Sequence, residues 1–392
     1  MHGCVNLQVG IKALVFSYLY SVFCSPLCCT TLTAATALFT LLYQYDEDFQ
    51  SFERRLLITP ANSESECELK PVAAYLRDRH SGWIQASCND LLLGIESSNC
   101  VVVYTVINPI TRQCLKLPPS PLPLPHRLLR LRAGIISSYD ESNDTQISSS
   151  FRVVLILSTR NNLSQFNIHV FSSDSGEWSD SMVLCPTNLG EFRLSLTPIH
   201  TVPYKGLLFW PIDGGRLLGF DLFKQHMSVE LEPFHEINCL GLCHGCLRTC
   251  QVSCYAHPRL RVWELKDFDN ENNGSGAGGK WCLKHGLYFS QMVSEKSPSL
   301  TEYINRNWPS PPVISVLAFH PNDGDIMYLL IQSKVVSCNL QSRTLEVFCD
   351  IPYGGGSFFN IPNTLTFVLP SWPTPIPSSP LEKQNVICCV PQ

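Results

Sequence analysis

Charge is scarce in this sequence. Asp, Glu, Lys and Arg together make up 16% of its 392 residues, and the formal net charge is −5. No basic stripe and no acidic tail is present, so nucleic acid, histone and cation partners have no electrostatic footprint here. From Leu56 onward there is no long amphipathic helical period, which argues against βαβ architectures. The motifs of common hydrolases are missing too: there is no G-x-S-x-G elbow and no H-E-x-x-H helix. No catalytic, cofactor-binding or metal-binding residue is therefore assigned, no cofactor is expected, and the chain reads as a non-enzyme. The sequence names no residue that would touch a substrate.

The longest gap in charge runs from Ala13 to Tyr45. Its length would let it span a bilayer. It is nevertheless rich in Ser, Thr and Cys, it is broken by Pro26, only Lys12 precedes it, and Thr33-Ala34-Ala35 makes a poor cleavage site. Three readings stay open: a membrane anchor or signal through residues 13–45, a pair of buried or loosely packed helices, or a terminus with no folded role. The charged stretch Asp46 to Arg55 is compatible with a short connecting helix.

What the chain does have is cysteine, 19 in all. That is below the density of a small disulfide scaffold. Cys88, Cys100, Cys338 and Cys349 fall at apolar positions of strand-like runs, as small reduced hydrophobes of a cytosolic or nuclear core would. Glycosylation-type triplets at Asn143, Asn162 and Asn273 are about what chance gives, and they do not argue for secretion.

It also has a five-fold echo: an apolar strand, a polar turn, and a second strand of alternating character. The turns lie at Asn108-Pro109-Ile110-Thr111, Ser172-Ser173-Asp174-Ser175-Gly176, Phe223-Lys224-Gln225, after Lys266-Asp267, and at Gln341-Ser342-Arg343. Steps of roughly 40 to 75 residues are blade-sized. Further strands are expected near Trp83–Ala86, Leu91–Ile95, Phe151–Leu157, Leu207–Trp210, Ile326–Ile331 and Thr364–Val368. Leu117–Pro125, Asp140–Ser150, Asp269–Gly279 and Pro370–Pro380 read as loops. Sheets that cannot bury a face alone must stack, and a ring of them leaves only short edges. The expected fold is all-β: a β-propeller of about six blades, some degenerate, preceded by a short helical or poorly ordered N-terminal segment. A β-sandwich pair is the second choice. Five turn phrases plus the strands at residues 83 to 95 give the count of six. The expected boundaries are 1–50 for the uncharged segment, 51–369 for the propeller and 370–392 for a proline-rich tail.

The order of phrases resembles the plant F-box-associated, kelch-related β-propeller proteins. The matching stretches are His80-Ser81-Gly82-Trp83 with Ser87-Cys88-Asn89-Asp90, Asn108 to Gln113 with Leu117-Pro118-Pro119, and Tyr204 to Trp210 with Leu217 to Asp221. Leu260 to Asp267 with Trp281 to His285, and Val316 to Pro321, complete the series. The resemblance covers roughly residues 80 to 350 and implies a rigid ring whose variable loops bind a protein target. It further implies substrate selection for an SCF-type ubiquitin ligase, reached through an F-box that docks on Skp1 and the cullin core. Residues 1–50 show neither the Leu-Pro opening nor the basic stretch of an F-box, so an orphan relative lacking that module is the companion reading. Phe49-Gln50-Ser51-Phe52 matches the linker that normally follows it. The alternative function is a membrane-tethered or secreted propeller with carbohydrate-related enzymatic activity.

Three clusters carry residue types that could do chemistry. Cys239, Cys243, His244, Cys246, Cys250, Cys254 and His257 have zinc-like spacing, but Cys250, Val252 and Cys254 alternate with polar residues as a strand does. Asp269-x-Glu271-x-Asn273-Gly274 opens like a calcium loop and then places Lys280 where a carboxylate is needed. Tyr353-Gly354-Gly355-Gly356-Ser357 lacks the Lys of a phosphate loop. His320 is expected to cap a turn, and Trp83, Trp178, Trp210, Trp263 and Trp281 to pack between blades.

Overall fold

The computed structural model describes residues 39–46, 53–58, 72, 75–76, 83–98, 101–120, 131–140, 148–157, 165–184, 200–212, 215–222, 226–230, 237–253, 258–268, 279–306, 312–350, 363–368 and 376. All of them fall in one compact unit, Leu38–Gln392.

Two strands come first, β1 (Phe39–Asp46) and β2 (Glu53–Ile58). The first blade is β3 (Trp83–Cys88), β4 (Leu91–Ser98), β5 (Val101–Asn108) and β6 (Gln113–Lys116). The second is β7 (Leu131–Asp140), β8 (Ser148–Leu157), β9 (Gln165–Ser172) and β10 (Glu177–Leu184). The third is β11 (Val202–Tyr204), β12 (Leu207–Ile212), β13 (Arg216–Asp221) and β14 (His226–Glu230). The fourth is β15 (Cys239–Cys243), β16 (Cys246–Ser253), β17 (Arg259–Lys266) and β18 (Lys280–Tyr288). A seven-residue helix, α1 (Pro298–Ile304), precedes the fifth: β19 (Ile314–Phe319), β20 (Ile326–Ile331), β21 (Lys334–Asn339) and β22 (Thr344–Asp350). The last strand is β23 (Asn363–Val368).

The fold is a β-propeller of five four-stranded antiparallel blades, rather than the expected six or so. The reason is concrete. The strands at residues 83 to 95, counted separately from the sequence, belong to the same sheet as the first turn phrase, in the order β3-β4-β5-β6. Each of the five phrases is the third-to-fourth-strand hairpin of one blade. A three-stranded sheet, β2-β1-β23, completes the set of sheets and joins the two ends of the described chain, with Phe39 opposite Val368.

Other expectations shift as well. Of the stretch Asp46 to Arg55, expected as a short helix, the described residues are strand: Asp46 ends β1 and Glu53 to Arg55 open β2, in register Asp46↔Glu53 and Tyr45↔Arg54. Ladder pairing overrides the local propensity. Phe39 to Tyr45, read as part of a helical or membrane segment, is strand, and so the strands begin inside the stretch set apart as residues 1–50. Residues 1–38 lie outside the described residues. The loop expected over Asp140–Ser150 is shorter, because Asp140 pairs with Ser148.

The core lies in the seams between blades. Along β8, Val153 and Leu155 pack toward the first blade with Phe171 and Ile135, while Val154 and Ile156 pack toward Leu208, Trp210 and Phe220 of the third. A strand buried on both faces has no polar side, which is why this stretch reads as an unbroken apolar run. Trp210 and Trp281 are buried, and Trp83, Trp178 and Trp263 pack against the same clusters, the inter-blade role expected of them. The outer edge of the fifth blade is covered: Val293 N–H donates to Arg343 O at 3.0 Å and Leu345 N–H to Val293 O at 2.9 Å. Covering an edge in this way removes a pairing template for other chains.

Candidate functional site

The first strand of every blade stands at one edge of its sheet, and β23 does the same in the three-stranded sheet. These six strands wall a central cavity of about 320 Å³. Side-chain to backbone bonds stitch the wall together. Ser87 Oγ donates to Thr366 O at 3.1 Å, and Thr201 Oγ1 donates to Ala133 O at 2.7 Å. Cys88 Sγ lies 3.4 Å from Ser137 Oγ. Gly134 lets β7 approach the third blade: a Cβ there would meet Thr201 Cγ2 at 2.7 Å.

Two of the inner strands carry bulges. The β3–β4 register skips between Ile84 and Ala86, so Gln85 has no partner in the ladder, and the β19–β20 register skips between Val316 and Ala318 at Leu317. A bulge turns a backbone group out of its ladder. The Gln85 carbonyl is taken by His200 Nδ1 at 2.9 Å, which reaches it from the approach to the third blade. Burial, reinforced by the Arg132 charge, lowers the His200 pKa to about 4. The ring is therefore neutral, with its proton on Nδ1 and a lone pair on Nε2.

Antiparallel order puts the first-to-second and third-to-fourth turns of a blade on the same face. These turns are tightly held. Asn108 Oδ1 accepts from Ile110 and Thr111 N–H at 2.9 and 3.1 Å, and Asn339 Oδ1 accepts from Gln341 and Ser342 N–H at 3.0 and 2.8 Å. Both turns end on a left-handed arginine, Arg112 at φ 57° and Arg343 at φ 59°, where the second blade has Gly176. Asn108 Nδ2 also donates to the buried Asp90 at 2.7 Å, which ties the blade's two turns together. Lys205-Gly206 and His244-Gly245 are two-residue hairpin turns with both φ values positive, which favours Gly at the second place.

The seam between the fourth and fifth blades ends in a polar latch. Arg248 Nε and Nη2 donate to Glu264 Oε2 at 2.7 and 2.6 Å, and Arg248 Nη1 reaches Gly324 O at 2.8 Å. Lys266 pairs with the other Glu264 oxygen. Burial pushes the Glu264 carboxyl up, but bonds from Lys266 and Arg248 outweigh it and hold it below its ordinary value. The 320–325 loop is fastened on the same side by His244 N–H to Pro321 O at 2.8 Å and by His285 Nε2, 3.5 Å from Asp325. Inside it, His320 Nδ1 accepts from Asn322 N–H at 3.1 Å, the turn cap expected from the sequence.

The cysteine cluster resolves into a hairpin. Cys239 faces Cys250 and Cys243 faces Cys246 across β15 and β16, and Cys239, Cys243 and Cys250 are buried in the fourth-to-fifth-blade core. Cys254 and His257 lie outside the described residues, as do residues 269–278 of the calcium-like stretch and Tyr353–Ser357. Cys88 and Cys338 are buried and Cys349 is half-buried, while Cys100 lies outside the described structure. Among the described residues no helix is long and apolar enough to cross a membrane. Sequence reasoning missed His200, Thr364 and Gln85: a lone histidine after an irregular stretch, a threonine opening a strand and a bulged glutamine carry no pattern.

The ring of four-stranded antiparallel sheets around a channel defines a β-propeller protein. The profile of the family described as F-box protein At3g26010-like, beta-propeller, matches residues 69–364, and the chain belongs to that family. F-box protein At3g26010 of Arabidopsis thaliana is 24% identical over 278 residues, which is 66% of this chain and 56% of that protein. The chain thus spans just over half the length of that curated relative. Among solved structures, TolB from Acinetobacter baumannii matches at 9% identity over 80% of this chain and 65% of its own, with a TM-score of 0.37. The complex of KlAtg21 with the coiled-coil of AgAtg16 matches at 12% identity over 86% and 95%, with a TM-score of 0.36.

Proposed function

We propose that this propeller is a non-enzymatic protein-binding module that selects targets for an SCF-type ubiquitin ligase. The observation that supports it best is the turn-bearing face: side-chain bonds at Asn108, Asn339 and His320 and the latch at Arg248 hold loop tips at fixed positions around the channel. A rigid ring with fixed tips suits recognition, because little ordering entropy is lost on binding. On this reading the stretch set apart as residues 1–50 stands where an F-box would only up to β1, residues 39–369 carry the ring that binds the target, residues 370–392 form a tail, and the protein works in the cytoplasm or nucleus.

Reconstitution with purified Skp1 and cullin tests the ligase connection. Comigration of the full chain with Skp1 on size exclusion is the expected result. If the chain binds Skp1 only after an F-box is fused to it, the orphan-adaptor reading holds instead. Failure of the fused protein to ubiquitinate any protein that the propeller retains overturns the selection role.

A further inference from the structure

Cys243 and Cys246 face one another across the hairpin of β15 and β16, and only His244 and Gly245 separate them. Direct cross-strand partners point to the same side of a sheet, with Cα atoms about 4.5 or 5.5 Å apart according to the kind of pair. Both spacings fall within the roughly 4.4–6.8 Å that a disulfide spans. The turn between the two thiols is fixed. His244 and Gly245 both have positive φ, 49° and 67°, and His244 N–H donates to Pro321 O at 2.8 Å. With the turn already in place, little further ordering is needed for the sulfurs to join.

The pair is unequal in access. Cys243 is fully buried, Cys246 is half-buried, and the two turn residues between them are exposed. The turn opens onto free space: a Cβ on Gly245 would meet nothing within 4 Å. Burial pushes the Cys243 thiol up to about 11, so Cys243 is not the sulfur that meets a reagent from solution. Beside Cys246 stands Lys266, whose ammonium is held above its ordinary value chiefly by Glu264 and further by the Cys246 thiolate. A half-exposed cysteine with a cation at its side is the setting in which thiols react. Cys239 and Cys250 share the same hairpin register, but both are buried, so the chemistry has an entry only at the turn end.

We propose that Cys243 and Cys246 form a reversible dithiol site, oxidised by a small-molecule disulfide of the glutathione type. The Cys246 thiolate attacks one sulfur of that disulfide, releases one half as a thiolate and keeps the other as a mixed disulfide. Cys243 then loses its proton and attacks Cys246 Sγ, which expels the second half. The two protein thiols give up two electrons and two protons, and the small disulfide leaves as two thiols. The site depends on the pair alone and holds whichever target the turn-bearing face takes.

Oxidised glutathione, added to the reduced full-length protein at mildly alkaline pH, is the probe. After free thiols are blocked with iodoacetamide in denaturant, peptide mapping without reduction locates every bond and adduct. A Cys243–Cys246 bond is expected, with Cys239 alkylated and the bond lost on treatment with dithiothreitol. In Cys243→Ala the reaction should stop at the mixed disulfide, leaving about tenfold more glutathione on Cys246 than in the parent, because the intramolecular step is gone. In Cys246→Ser, Cys243 should stay reduced, and this variant keeps the test open if Cys243→Ala does not fold. The proposal is overturned by the absence of any bond, by a lasting glutathione adduct on Cys246 of the parent, or by a bond from Cys246 to another cysteine. Oxidation of Cys243 in Cys246→Ser would overturn it as well.

Discussion

Two seams of the ring solve the same packing problem differently. Between the second and third blades the packed core is apolar, with Val154, Ile156, Leu208, Trp210 and Phe220 almost fully buried. Between the fourth and fifth blades an apolar base of Val262, Leu260, Met327 and Leu329 gives way to the Arg248–Glu264 latch. Shape fixes the first. In the second, shape is joined by charge, and charge specifies where the 320–325 loop sits. An apolar seam should respond to lost volume, a latched one to a lost partner.

The largest effect is expected in the apolar seam. Trp210→Ala should lower unfolding stability by about 3–5 kcal/mol, measured by denaturant titration. The indole N–H of Trp210 has no partner in the protein, so Trp210→Phe should cost clearly less. In the latched seam, Glu264→Ala should cost about 3 kcal/mol, because it strands the buried Arg248 guanidinium. The double change Arg248→Met with Glu264→Leu should recover most of that stability while loosening the 320–325 loop, which hydrogen exchange at Asn322 and Asp325 would report. If the double change is as unstable as Glu264→Ala, the contrast between the seams fails.

A third way to probe the contrast is pH. Burial lowers the His200 pKa from 6.5 to about 4, so the unfolded chain takes up a proton before the folded one does as pH falls. Stability from this residue is complete above the unfolded value and is lost between pH 6.5 and 4, about 3 kcal/mol in all. His285 and His320 are lowered by burial and act in the same direction. Thermal melts of His200→Asn should therefore show a shallower decline toward pH 4.5 than the parent. Smaller still is Gly134→Ala, whose methyl group would press on Thr201 and Leu208, at about 1 kcal/mol. Asn339→Ala should cost about 1 kcal/mol, and Asn108→Ala more, because the latter also deprives the buried Asp90 of a donor.

Much of this architecture was legible in the residues. Turn chemistry is local, so Asn108, Gly176 and Arg343 marked three hairpins correctly, and His320 announced its own cap. The blade number was not legible, because the strands at residues 83 to 95 and those at 101 to 116 join only through ladder pairing, such as Leu93↔Val106. Asp46 to Arg55 misled for a different reason: its ends pair locally, Asp46↔Glu53 and Tyr45↔Arg54, with no alternating apolar pattern or turn phrase to mark them as strand. The cavity was the least visible of all. His200 meets Gln85 across 115 positions, and a contact of that reach leaves no spacing to read.

The three-stranded sheet has a consequence for how the molecule comes to be. β23 follows the five blades along the chain and must slot in beside β1, which precedes them, with Thr40 opposite Phe367. Until β23 has been made, the inner strands of the first and fifth blades have no β23 between them. Closure over so long a span is entropically slow, and an open ring displays unpaired strand edges while it waits. An incomplete ring is thus most exposed to aggregation just before β23 docks, and that single strand ends the exposure.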